Sequence, residues 1–125
     1  MDGKFRTDEM IHRVAERFRA LGEESRVRIL ARLMEGEFNV TELSRDLGLG
    51  QASVSKHLAT LRQVGFVQLR RSGVQSFYSI KDPRLYDLCR NVCEDVIRHH
   101  TEIATALQPG GEPQSAERPG KSISE

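Results

Sequence analysis

Asn39-Val40-Thr41-Glu42-Leu43-Ser44-Arg45-Asp46-Leu47-Gly48-Leu49-Gly50-Gln51-Ala52-Ser53-Val54-Ser55-Lys56-His57-Leu58 is the stretch that decides the fold. Asn39, with Glu42 three residues on, has the form of a capping box: a short polar side chain meets the new helix and a carboxylate reaches back. The short helix it opens has Leu43 and Leu47 as apolar positions. Gly48-Leu49-Gly50 is a tight turn. A second helix is expected from Gln51 to about Gln63, with Val54, Leu58 and Leu61 as its buried stripe, and Gly65 ends it. Two such helices joined through glycines make a helix-turn-helix.

Downstream, Phe66-Val67-Gln68-Leu69-Arg70 alternates partly, as a strand does, and Ser76-Phe77-Tyr78-Ser79-Ile80 is a second strand-like run. The Arg70-Arg71-Ser72-Gly73-Val74-Gln75 tip between them makes a hairpin, placed as a wing. Upstream, residues 8–21 carry Met10, Ile11, Val14, Phe18 and Leu21 at helical spacing, and Gly22 ends that helix. Ser25 is expected to cap the next one. Arg26 and Arg28 should then face outward, Val27, Ile29, Leu30 and Leu33 mostly inward, and Gly36 closes it. After the hairpin, Asp82-Pro83 places Asp at a cap and Pro at a first helical position. The last helix should reach about Leu107, carrying Leu85, Leu88, Val92, Val96, Ile103 and Leu107. Its length of roughly 37 Å is long for so small a domain, which points to the same helix of a second subunit as its partner.

The expected fold is therefore mainly α with a small β-hairpin wing, a winged helix-turn-helix of four helices, two strands and a fifth helix. It should dimerise through its first and last helices. Residues 8–107 are expected to form the DNA-binding and dimerisation domain. Residues 108–125 hold three of the four prolines and three of the ten glycines, with Ile123 as their only large apolar residue, and are read as a disordered tail.

Composition narrows the function. The 125 residues are 38% hydrophobic and 6% aromatic, without Trp. One modest core follows, with part of the apolar surface buried between subunits. The apolar runs are too short to span a membrane, and the first residues lack the apolar segment of a secretion signal. Two cysteines four residues apart are no disulfide framework. A reducing cytoplasm is the expected compartment. Net charge is only +1, but no Asp or Glu occurs in the 35 residues between Asp46 and Asp82. Proportion alone would put about five there. The same window holds Lys56, His57, Arg62, Arg70, Arg71 and Lys81. A basic surface gains affinity for a duplex by releasing its counterions.

The start of the second helix suits base edges. Gln51, Ala52, Ser53, Ser55 and Lys56 are small or hydrogen-bonding, and none is acidic. A helix laid in the major groove reads bases with such N-terminal residues, and its free N–H groups can hold a phosphate. Thr41 and Thr60 join the expected DNA-binding set. So do Arg70, Arg71, Ser72 and Gln75 of the wing, which would meet a flanking backbone or minor groove. His57 is read as a phosphate contact, set against a plain surface histidine.

At this point the chain resembles the ArsR/SmtB family of metalloregulators. Ala20-Leu21-Gly22-Glu23-Glu24-Ser25-Arg26-Val27-Arg28-Ile29-Leu30 is similar to a signature of that family. Thr41-Glu42-Leu43 and Gly48 to Leu58 resemble its helix-turn-helix. Leu61-Arg62-Gln63-Val64-Gly65-Phe66-Val67, Arg70-Arg71-Ser72-Gly73 and Phe77-Tyr78-Ser79-Ile80 resemble its helix end and wing. The resemblance covers about residues 8–107. It implies a homodimeric repressor that binds an inverted-repeat operator in double-stranded DNA and lets go when an inducer binds.

The family's sensor sites do not carry over. Its Cys-x-Cys pair falls on Asn39 and Thr41, which lack the thiolates that soft ions prefer. Its zinc site on the last helix falls on Asp82, Arg84, Asp95 and Arg98, and an arginine cannot coordinate a cation. Cys89 and Cys93 remain, four apart on one helix face. They are candidates for a metal, arsenical or oxidant effector, weighed against being small apolar residues of a dimer seam. His99 and His100 stand near the end of the same helix and are read as solvated charges favouring its C-terminus, with ligation as the lesser alternative. Two other classes compete: a winged helix used only for protein contact, which the acid-free window opposes, and a thiol enzyme. The second lacks the Cys-x-x-Cys beside a βαβ unit that such chemistry favours, so no enzymatic activity is expected.

Overall fold

A computed structural model describes residues 6–107. The tail expected over 108–125 lies outside the described residues. Two compact units, divided between Pro83 and Arg84, carry the residues expected to form one domain.

The first unit holds four helices and a hairpin: α1 (Asp8–Leu21), α2 (Glu24–Leu33), α3 (Val40–Leu47), α4 (Gln51–Gln63), β1 (Val67–Ser72) and β2 (Gln75–Ile80). Ile29, Leu30 and Leu33 of α2, Leu43 of α3, and Val54, Leu58 and Leu61 of α4 are all buried, together with Ala20 and Val67. The buried positions of α2, α3 and α4 are ones that the helical spacings foretold; Ala20 is not among them. The capping box forms as read. Asn39 accepts from the backbone of Glu42, whose carboxylate accepts from the backbone of Asn39, an arrangement worth about 1 kcal/mol.

The strands are antiparallel, pairing Val67 with Ile80 through to Ser72 with Gln75. They run further than the sequence suggested, so the connection shrinks to the two residues Gly73 and Val74. Gly73 at φ 63° allows that tight a turn, because glycine enters the left-handed region without a Cβ penalty. Phe38 adds a bridge to Tyr78, its backbone N–H donating to the Tyr78 carbonyl at 3.1 Å and its carbonyl accepting at 2.8 Å. The segment before α3 is thereby tied to the wing.

The start of α2 corrects three expectations. The N-cap is Glu23 rather than Ser25: its carboxylate accepts from the backbone N–H of Arg26 at 3.0 Å. Arg26 does not face outward. Its guanidinium donates to the carbonyls of Ala20 at 2.7 Å and Arg19 at 3.2 Å. Those are among the last carbonyls of α1, at the negative end of the helix dipole, and the Arg19 carbonyl also accepts from the backbone N–H of Gly22 at 3.1 Å. Val27, in turn, is exposed.

The second unit is described by α5 (Arg84–Leu107). It begins one residue later than Pro83, and its 24 residues agree with the expected length. Leu88, Val92, Val96, Ile97 and Ile103 are exposed on it.

Candidate nucleic-acid interface

The turn between α3 and α4 is built by backbone and one hydroxyl. Gly48 takes φ 68° as the C-cap of α3, a conformation that costs other residues about 1–2 kcal/mol. The N–H groups of Gly48 and Leu49 both donate to the Ser44 carbonyl, at 3.0 and 3.2 Å. The Ser44 hydroxyl donates to the Leu49 carbonyl. Leu49 is thus held from both sides, and α4 leaves the turn in a fixed direction.

At its N-terminus α4 has no side-chain cap and no acidic residue in its first turn. Gln51, Ala52, Ser53, Ser55 and Lys56 are exposed there. They lie off the buried stripe of Val54, Leu58 and Leu61. Thr41 is exposed in the first turn of α3. Thr60 is half-buried, its hydroxyl donating to the Lys56 carbonyl at 3.3 Å.

His57 is placed differently from the expectation of a phosphate contact. Its side chain retains only 17% of its exposure. Nδ1 lies 3.2 Å from Nη1 of Arg26. Arginine has no acceptor, so in a hydrogen bond between the two Nδ1 is the acceptor, and Nε2 lies 3.9 Å from the Glu23 carboxylate. The position after Lys56 turns the ring toward α2, away from the small polar residues of the helix start.

The wing divides its two arginines. Arg70 donates to Glu37 at 2.9 and 2.8 Å and lies over the Phe77 ring. The same hydrogen bonds hold the Glu37 carboxyl below its ordinary range and raise Arg70 above its own. Arg71 is exposed and donates to the Ser76 hydroxyl at 3.2 Å. Ser72 and Gln75 are exposed, and Gln75 accepts from the Asn39 side chain at 3.4 Å. Val74 is wholly exposed at the tip. The structure also brings Glu37, Arg26 and Ser44 into hydrogen bonds with the wing, the end of α1 and the turn. Ser44 lies within α3 and reaches forward to the turn; only Arg26, within the stretch from Ala20 to Leu30, had any signal in the sequence.

In the second unit Cys89 and Cys93 are both free thiols and half-buried. Burial pushes the Cys89 thiol up. His99 and His100 are exposed. Among the described residues no group of three or more His, Cys, Asp or Glu side chains is placed to hold a metal ion. No described helix is long and apolar enough to cross a membrane.

A glycine-turned helix pair, a second helix with an uncapped, acid-free start, and a following hairpin with an exposed arginine define a winged helix-turn-helix regulator of DNA. The comparisons agree. The family model for bacterial regulatory proteins of the arsR family matches residues 23–68. An uncharacterised HTH-type transcriptional regulator, Rv0081, of Mycobacterium tuberculosis is 37% identical over 101 residues, 78% of this chain and 89% of its own. The chain belongs to the arsR family of bacterial transcriptional regulators.

The crystal structure of M. tuberculosis Rv0081 superposes with a TM-score of 0.73 at 31% identity, covering 78% of this chain and 99% of that one. A homodimeric winged helix-turn-helix DNA-binding domain from Mycobacterium bovis, solved by NMR, gives a TM-score of 0.67 at 29% identity, covering 80% and 96%. A biofilm growth-associated repressor of Xylella fastidiosa is 33% identical over 65% of this chain and 71% of its own. A probable mercury resistance operon repressor of Streptomyces lividans is 39% identical over 57% of each.

Proposed function

We infer that the protein is a cytoplasmic transcriptional repressor that binds an inverted-repeat operator as a homodimer and is released by an inducer. The observation that carries this is the uncapped, acid-free start of α4 beside an exposed wing arginine. Gln51, Ala52, Ser53, Ser55 and Lys56 read the major groove, with Thr41 and Thr60 at its edge. Arg71, Ser72 and Gln75 meet the flanking backbone, while Arg70 serves mainly to fix the wing. The exposed apolar residues of α1 and of α5 each supply a face for a second copy. Two-fold symmetry then sets two α4 helices about 34 Å apart, in successive grooves. Relatives named as repressors support the direction of control. Nothing in the residues calls for catalysis.

The test is selection of a duplex from random-sequence DNA, followed by titration of Lys56→Ala against salt. Loss of affinity with a salt slope reduced by about one supports the reading. No preferred duplex for the wild type would turn the module into a protein-contact domain.

A second reading concerns the inducer. Cys89 and Cys93 share one face of α5, and both are free and half-buried. A soft metal ion, an arsenical and an oxidant all react with the thiolate, so the raised Cys89 thiol bears on each of them alike and the three are separated by experiment. Arsenite, zinc, copper and peroxide are each added to wild type and to the Cys89→Ser/Cys93→Ser variant. Equal DNA release from both proteins would remove the thiols from the switch.

A further inference from the structure

We propose that Arg26 and His57 are positioning residues for DNA binding, setting the roll of the reading helix α4 against the end of α1 without touching DNA themselves. The inference rests on the DNA-binding reading above.

The apolar stripe of α4 does not by itself define how the helix is rolled about its axis. Val54, Leu58 and Leu61 make non-directional contacts, and a core tolerates small rotations. At about 100° per residue, His57 sits roughly 65° to one side of the centre of that stripe, and Lys56 lies close to the opposite side of the helix. His57 is therefore at the margin where a directional bond best resists rolling. A roll of about 10° moves a side chain on the far face by about 1 Å, and base readout depends on tighter placement than that.

The bond available there is directional and anchored. Arg26 Nη1 lies 3.2 Å from His57 Nδ1, while Nε and Nη2 of the same guanidinium donate to Ala20 and Arg19 carbonyls at 2.7 and 3.2 Å. One planar, rigid fork thus joins three elements. The backbone of Arg26 is itself fixed by the Glu23 carboxylate at 3.0 Å. The fork also links α4 to α1, which carries exposed Met10, Ile11 and Phe18. A shift of α1 is passed to the reading face through two hydrogen-bonded groups. Lysine cannot reproduce the arrangement, since a point cation has no fixed fork.

The experiment uses the full chain and the duplex selected by the wild type. His57→Leu removes the acceptor, and His57→Asn keeps an oxygen near the position of Nδ1. Affinity is titrated over a salt series, well below the melting temperature of each variant. His57→Leu and Arg26→Lys are each expected to weaken binding about five- to tenfold, with the salt slope of the wild type retained. His57→Asn should recover to within about twofold of the wild type, which a mere packing role would not produce. Arg26→Lys added to His57→Leu should cost nothing further.

A slope reduced by about one in His57→Leu would make His57 a phosphate contact and overturn the proposal. Unchanged affinity in both single variants, or no recovery in His57→Asn, would overturn it as well. Lys56→Ala run alongside separates the two levels: a normal Lys56 effect with a silent His57 rejects only this inference, whereas a wild type that selects no duplex rejects the DNA reading itself. If His57→Leu fails to fold, Arg26→Lys and His57→Asn carry the same comparison, and a lysine variant of wild-type affinity refutes it.

Discussion

Arg70 and Glu37 are held fork to fork, with Nε and Nη2 of the guanidinium donating to the two carboxylate oxygens at 2.9 and 2.8 Å. The pair ties the wing to the loop before α3, so the wing has a defined direction. It also answers the charge of one of the two wing arginines. Arg71→Ala should therefore lower the salt slope of operator binding by about one, and Arg70→Ala by clearly less. Glu37→Gln should steepen the slope of the otherwise native protein. Anisotropy titrations across a salt series check all three, and equal slopes for the two arginine variants would contradict the masking.

The same bond makes a prediction about acid. Arg70 hydrogen bonding lowers the Glu37 carboxyl below its ordinary range, and hydrogen bonding by Arg32 does the same for Asp46. A carboxylate lowered in the folded state adds stability above its unfolded value, and that stability fades as pH falls through the folded one. The melting temperature should thus hold from neutral pH to the ordinary carboxylate range and drop below it. Both sites are open to solvent, so each effect is small. Glu37→Gln/Asp46→Asn should melt lower than the wild type at neutral pH and converge with it in strong acid. A constant gap between the two melting curves would contradict the linkage.

How much of this was legible in the sequence follows from what each feature depends on. The helices were readable because their signals are local: a capping box at Asn39 and Glu42, glycines at 22 and 48, and apolar positions at helical spacing. The wing strands were readable too, although Gly73 closes a shorter turn than the sequence suggested. Arg26 was misread because an arginine beside apolar residues looks solvent-facing. Its real partners are main-chain carbonyls six and seven residues upstream, and main-chain acceptors leave no trace in residue identity. His57 and Glu37 were hidden for a related reason. Their partners lie 31 and 33 residues away in the chain, and only the packing of α2, α4 and the wing brings them together.

Gly48 offers a test of the turn. Its φ of 68° is left-handed, and a Cβ built there meets nothing within 4 Å. The cost of Gly48→Ala is therefore that of the backbone alone, about 1–2 kcal/mol. Gly48→Asn should cost less, since Asn visits this region more readily. Denaturant unfolding of the three proteins checks the order. An alanine variant as stable as the wild type would mean that the turn relaxes to another conformation, and operator binding should then suffer instead.

The apolar face of α1 predicts the assembly. Phe18 is 61% exposed, and Met10 and Ile11 of the same helix are exposed with it. A second copy that covers the exposed part of this ring gains about 1–2 kcal/mol per subunit, and a carboxylate in its place would be desolvated without a partner. Phe18→Glu should therefore turn a dimer into a monomer at micromolar concentration while leaving the helix content intact, because the ring contributes little to the first unit's own core. Operator binding should fall by far more than any single DNA contact explains, since a monomer engages one half-site at a time. Val74→Glu is the control: it places the same charge on an equally apolar but wholly exposed wing residue, and it should leave the dimer untouched. Sedimentation velocity distinguishes the two variants. A dimeric Phe18→Glu protein would move the subunit contact off this face of α1.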